Sequence, residues 1–323
     1  MHLERPTVEP AFKFDSNPIP ERRENMNIFE KLGFWWDQKA MPTTAPERGF
    51  DQVMKRFDKS IEDFVWNASA IDGNPFTREE VETLLKGISV GNRTLCDQGQ
   101  VLSLIEAYKY LHKQLVSQDF SLSKSHFSTV QSYVTQYEHW EYGVFRGEGR
   151  ELKFTPSVRL GSTRYYPTPT VAGGVALNRH FHQTIASLEN EIPNGLIRAI
   201  AFYMAAMLNQ YFFSGNKRVA SLMMNAILLS EGIDAINILA SKKKIYDEKM
   251  SRFFQTKNAT EMMLFLMQCH PASTILAESS AQSHQAAVTK GSAADEFSAR
   301  DSRGARNAPE NRHNLRSLLA SLG

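Results

Sequence analysis

Two apolar stretches, set close together in the chain, constrain the fold most. The run LIRAIAFYMAAML, from Leu196 to Leu208, is apolar on nearly every face of a helix. A helix without a polar side has to be surrounded by protein or lipid. Ten residues later VASLMMNAILLSEG, Val219 to Gly232, repeats the pattern and closes on glycine. Neither run reaches the roughly 18 apolar residues of a membrane span. Both therefore read as buried helices at the centre of a globular core. The segment joining them, QYFFSGNKR, is a tight turn carrying a glycine and two cations.

The rest of the chain is compatible with such a core. EVETLLKG stops on Gly87, a helix terminator. GQVLSLIEAYKYLHKQL places Val101, Leu104, Ile105, Tyr108, Leu111 and Leu115 at helical spacing, and HFSTVQSYVTQY continues in that style. Only Gly143 to Val171 departs from it. There apolar and polar residues alternate around glycines and prolines, as in KFTPSV and TRYYPTP, which predicts one or two short strands and a hairpin. The expected class is mainly α with a small β element.

Composition divides the 323 residues into three parts. Residues 1–50 are expected to be an extension, its first 25 residues carrying four prolines and many charges. Residues 51–270 form the body. From 271 to 323 the chain is rich in Ser, Ala, Asn and Arg, a composition expected to stay disordered. Leu315, Leu318, Leu319 and Leu322 at its end fit a short docking helix.

A net charge of +2 gives no bulk attraction to nucleic acid or acidic membranes. Two cysteines, Cys96 and Cys269, make neither a disulfide framework nor a CxxC metal site. The first residues lack the apolar core of a secretion signal, so a cytoplasmic location is expected, with signal-less export left open.

The turn between the two buried helices carries the chemistry. Helix-start amides have no intrahelical partner and the helix dipole is positive there. Gly215 lets backbone approach a ligand closely, and Lys217 and Arg218 add full charges. Such a loop is suited to an anion such as phosphate. A surface turn with two solvated cations is the alternative that the loop alone leaves open.

The turn and three other segments resemble the Fic family (Fido fold), whose signature is HPFx(D/E)GN(G/K)RxxR. Phe212, Gly215, Asn216, Lys217 and Arg218 match it. Gln210 stands at the histidine, Tyr211 at the proline, Ser214 at the acidic residue and Ser221 at the last arginine. SAIDGNPFTREEV, Ser69 to Val81, is similar to the family's IEGN-type segment. GVFR, Gly143 to Arg146, resembles the GxYR before the substrate-binding flap, and RYYPTP, Arg164 to Pro169, stands where the flap ends. The resemblance covers residues 50 to 270 and implies a Fic-type helical bundle with a β-hairpin flap.

It also implies an activity, transfer of AMP from ATP to a protein hydroxyl. The family's histidine is the general base, its acidic residue holds Mg²⁺, its GN(G/K)R loop holds phosphates, and its flap takes the target as an added strand. Gln210 cannot accept a proton in that role, which typically costs about 10²–10⁴-fold. Ser214 offers Mg²⁺ only a neutral oxygen, so no metal site is expected. The implied ligand is ATP or another nucleotide on Gly215, Asn216, Lys217 and Arg218. A pseudoenzyme acting through protein contacts is the expected function. An atypical adenylyltransferase is the alternative, as is a phosphotransferase like the Doc branch, which Lys217 resembles. The implied partner is a protein engaged through Tyr165, Tyr166 and Pro167.

In the IEGN-type segment, Asp72, Gly73 and Asn74 here, Asp72 stands at the family's inhibitory glutamate. With serine at 221 its usual arginine partner is missing, so Asp72 is expected to cap the DGNP turn. His180 and His182 lie two apart and cannot share a helix face. His126 reads as a packed, hydrogen-bonded histidine, and Phe34, Trp35 and Trp36 as core or partner contacts.

Overall fold

The computed structural model describes residues 29–276 except 139, 161, 162 and 275. The expected disordered tail and its leucine-rich end, like the proline-rich start, fall almost entirely outside these residues. Among the described residues ten α-helices make up the body. They are α1 (Phe50–Asp58), α2 (Ile61–Ile71), α3 (Arg78–Leu85), α4 (Leu95–Val116), α5 (Lys124–Thr135), α6 (Val175–Glu191), α7 (Gly195–Asn209), α8 (Asn216–Ser230), α9 (Lys243–Thr256) and α10 (Thr260–Gln268). Between α5 and α6 lies an antiparallel hairpin, β1 (Val158–Leu160) with β2 (Thr163–Tyr165), in the register Val158↔Tyr165, Arg159↔Arg164, Leu160↔Thr163. The mainly α class with one small hairpin is as the sequence predicts.

The two apolar runs become α7 and α8, and these are the centre. Every α7 residue from Ala199 to Asn209 is buried, as is every α8 residue from Leu222 to Leu229. Local chemistry sets the ends of the helices around them. Asn194 caps α7 by accepting from the Ile197 N–H. Thr77 and Glu80 form a reciprocal capping box on α3.

Residues 29–50, expected as an extension, do not lie apart from the body. Leu32, Phe34, Trp36 and Met41 are buried in the same core, and Trp35 bridges to Asn258. The boundary at residue 50 is thus not a break in packing. Phe34 and Trp36 serve the core, as one reading of the aromatic cluster expected. His126 is half-buried, its Nδ1 3.0 Å from the Ser121 carbonyl and its ring near Phe120 and Tyr110. His180 and His182 sit on α6, half-buried and exposed respectively.

A buried carboxylate ties the segment before α1 and α1 itself to the segment after α8. Asp234, 3% exposed, takes Arg48 and Arg56 at 2.8 Å each. Beside it His270 is buried, and its Nδ1 accepts from the Ala272 N–H at 3.1 Å, which requires a neutral ring nitrogen. Burial pushes the His270 pKa down to about 4, with Asp234 opposing and Arg48 and Arg56 assisting. A base whose folded pKa is depressed is protonated more readily in the unfolded chain. Its contribution is whole above its unfolded pKa of about 6.5 and is lost as pH falls towards 4. Thermal unfolding followed by circular dichroism should therefore show Tm dropping between pH 7 and 5. His270→Gln should flatten that dependence; an equally steep curve in the variant would show that another group causes it.

Candidate functional site

The candidate site is built on the six-residue crossing from α7 to α8, residues 210–215. Gln210 ends α7 in the left-handed region, at φ 47°, and its N–H still donates to the Ala206 carbonyl at 3.0 Å. A side chain in that region costs roughly 1–2 kcal/mol unless it is held. It is held, because the Gln210 amide donates to the Met207 carbonyl at 2.7 Å and the Gln210 carbonyl accepts from Arg146 Nε at 2.6 Å.

Tyr211 and Phe212 then turn inward. Both are buried in an aromatic cluster with Phe127, Phe145 and Phe181, and ring centroids lie 4.8–6.1 Å apart. Asn216 closes the loop from the other side: its Oδ1 accepts from the Phe212 N–H at 3.0 Å and its Nδ2 donates to the Phe212 carbonyl at 2.7 Å. Gly215 has φ 74°, and a Cβ there would stand 2.4 Å from Thr135 Cγ2. The loop therefore requires glycine for two reasons, its handedness and the packed methyl of α5.

Arg146, from the GVFR segment, fastens this loop to the hairpin. It is wholly buried. Besides the Gln210 carbonyl it donates to the carbonyls of Asn209 and Thr168 at 3.1 and 2.8 Å and to the Thr170 hydroxyl at 2.6 Å. No carboxylate pairs with it in these bonds. The carbonyl end of α7, partly negative through the helix dipole, receives the charge instead. Burial pushes its pKa down to about 10, which leaves it cationic at neutral pH.

The hairpin's second limb is fixed to the same helix end. The Tyr165 hydroxyl donates to the Leu208 carbonyl at 2.8 Å and its ring stacks on Phe254 at 4.6 Å, with Lys257 Nζ 4.0 Å above it. Pro167 is buried, and only Tyr166, 68% exposed, is displayed. Of the three flap residues, Tyr165 and Pro167 thus anchor the hairpin.

Beyond the loop lies a cleft of about 670 Å³. Loop residues 213–218 form its floor, β1 one wall and α9 the other, through Lys243, Tyr246, Met250 and Phe254. Gln210 and Asp72 also line it. Asn74, not Asp72, holds the DGNP turn: its Oδ1 accepts from the Phe76 N–H, and its Nδ2 donates to Asp97 and Gln100. The Asp72 carboxylate instead reaches across to α8. Oδ1 lies 2.6 Å from Lys217 Nζ and Oδ2 lies 2.7 Å from Arg218 Nε. The expectation of a partnerless, turn-capping Asp72 is corrected: with no arginine at 221, the carboxylate pairs with the two cations one turn earlier.

A second carboxylate, which sequence reasoning missed, completes the arrangement. Glu138 follows α5 and takes Arg218 as a fork, Nη1 to Oε1 at 2.5 Å and Nη2 to Oε2 at 2.6 Å. Ser214 Oγ donates to Glu138 Oε2 at 3.4 Å. Nothing local in QYEHWEY marks Glu138; only the packing of α5 against α8 brings it there. Arg218 is 4% exposed. Burial works against its charge, but the Glu138 hydrogen bonds and the Asp72 and Glu138 charges outweigh it, so its pKa is raised.

Ser221 lies behind the two cations, lining with Tyr203, Asn225 and Tyr246 a cavity of about 30 Å³. Among the described residues no three His, Cys, Asp or Glu side chains converge as a metal site. Mg²⁺ does not fit the residues present: Ser214 is neutral, Asp72 and Glu138 are committed to Lys217 and Arg218, and Asp247, across the cleft, is paired with Lys243.

Four side chains, Asp72, Lys217, Arg218 and Glu138, thus form one charge-balanced cluster. Removing one partner from a buried pair leaves the other uncompensated, at about 3–5 kcal/mol. Arg218→Ala, which strands Glu138 and leaves Asp72 with Lys217 alone, should lower unfolding free energy in urea by about that much. A loss below about 1 kcal/mol would mean that the cluster is solvated and contributes as surface pairs do.

No family model matches the sequence. A protein adenylyltransferase Fic of Nematostella vectensis is 23% identical over 191 residues, 58% of this chain and 42% of that protein's length. Among solved structures, a Fic domain containing signaling protein from Bacteroides thetaiotaomicron superposes with TM-score 0.55 at 18% identity, covering 82% of this chain and 97% of that one. A Fic family protein from Desulfovibrio desulfuricans gives 0.52 at 14% identity over 88% and 78%. Fic-1 from C. elegans gives 0.52 at 16% over 84% and 72%.

Proposed function

We propose that this chain, which has the Fic-domain fold, is a ligand-binding relative of the protein adenylyltransferases that no longer transfers AMP. Its cleft receives a nucleotide or another phosphate-bearing molecule, and its output is a protein contact made around the hairpin. One observation carries this reading. The position that would need a proton acceptor holds Gln210, an amide without a titratable site, and that amide is engaged by the Met207 carbonyl. General-base catalysis needs a group that takes a proton within hydrogen-bond reach.

The binding half of the reading rests on the cleft. Its volume lies within the range of small-molecule sites. Its floor is the start of α8, whose first turn has no side-chain cap and no acidic residue. Its walls offer apolar surface from Val158, Leu160, Met207, Met250 and Phe254 for a base or acyl portion. β1 and β2 form a two-stranded sheet, which leaves strand edge for an extended segment of a partner protein.

Incubation of the purified protein with labelled ATP and Mg²⁺, alone and with cell lysate, tests the loss of chemistry. No incorporated AMP is expected by mass spectrometry. Robust transfer by the unaltered chain would overturn the reading and restore the alternative of an atypical transferase. Because base and metal anchor act as a unit, Gln210→His alone should remain silent in the same assay.

A further inference from the structure

Glu138 occupies Arg218 as a phosphate would. Its two oxygens meet the two terminal nitrogens of the guanidinium in parallel, at 2.5 and 2.6 Å. Carboxylate and phosphate are both oxyanions that match this fork. Arg218 also lines the cleft floor, so the face that Glu138 covers adjoins the site proposed for ligand.

The two carboxylates on Arg218 are not equivalent. Asp72 follows α2 directly, and its turn is pinned by Asn74 to Asp97 and Gln100 of α4. It also serves Lys217, and its contact with Arg218 Nε, though 2.7 Å, is not aligned as a hydrogen bond. Glu138 stands in the turn directly after α5, its N–H donating to the Thr135 carbonyl at 2.9 Å, beside Tyr137, 69% exposed. The fork-matched carboxylate is therefore carried by a turn, and the one shared with Lys217 by a segment pinned to α4.

The charges decide what an incoming anion meets. Asp72 and Glu138 balance Lys217 and Arg218, so the cluster as it stands offers a phosphate no net attraction. With Glu138 withdrawn it carries one positive charge and an open bidentate donor above an uncapped helix start.

We propose that Glu138 is an internal stand-in for ligand phosphate. It holds the Arg218 fork in the free protein, and a phosphate or diphosphate group binds by displacing it, while Asp72 stays as the permanent counter-ion. The proposal rests on the phosphate-binding reading above and adds which group gates the site. Ser214 assists by donating to Glu138, a contact that an acidic residue at 214 would turn into repulsion.

Calorimetry with inorganic pyrophosphate and with ATP, on the full chain, tests it. Glu138→Gln keeps the shape and removes the charge. It should bind pyrophosphate at least about tenfold more tightly than the unaltered protein, and adding Arg218→Gln should abolish that gain. Asp72→Asn should give a smaller gain. If ATP or pyrophosphate binds in an Arg218-dependent manner but Glu138→Gln changes nothing, Glu138 does not gate the site and the proposal falls while the binding reading stands. If no variant binds either compound, both fall. Should Glu138→Gln fail to fold, hydrogen exchange of residues 136–142 in the unaltered protein decides. Faster exchange with pyrophosphate supports displacement, and unchanged or slower exchange overturns it.

Discussion

A guanidinium almost entirely out of water has to be matched in charge and in hydrogen bonds, and the arrangement around Arg218 follows from that. The residue sits in the first turn of α8, the helix that with α7 makes the core, so it cannot move outward without dragging the core with it. Asp72 and Glu138 close on it from two separate elements, the end of α2 and the segment after α5. The pairing thereby staples three helices around one charge. It also turns what the sequence presents as a free cationic loop into a charge-balanced one.

A second buried arginine solves the same problem differently. Arg146 is given no carboxylate in its hydrogen bonds; it caps the carbonyl end of α7 and bonds across to Thr168 and Thr170. The loop, the hairpin limb and the α7 terminus are held as one piece by that side chain. Tyr165 adds a further bond to the same terminus. Gln210 can keep its left-handed backbone because these contacts fix the peptide on either side of it. The geometry of the crossing is thus maintained with glutamine at position 210.

Binding and chemistry are separable in such a site. The shape of the loop depends on Gly215, Asn216, the aromatic pair Tyr211 and Phe212, and Arg146. Proton transfer and metal binding would depend on positions 210 and 214, which contribute nothing to core packing that glutamine and serine cannot supply. The loop can therefore keep its shape whatever stands at 210 and 214, and here those positions hold glutamine and serine.

The mainly α class and the central pair of helices were legible in the sequence, because an all-round apolar run of 13 residues admits few other fates. The hairpin was legible too, since alternation among prolines and glycines has a period of two. So was the tight turn at Gly215, where the loop needs a residue without a side chain. The partners of the charged residues were not. Asp72 suits a turn cap by local propensity, yet Asn74 takes that role, and the carboxylate meets α8 only because α2 packs there. Glu138 has no motif, and 80 residues separate it from Arg218. Periodicity and propensity are local and survive in a linear string. Which carboxylate neutralises which buried cation depends on where distant helices come together, and that only the tertiary structure decided.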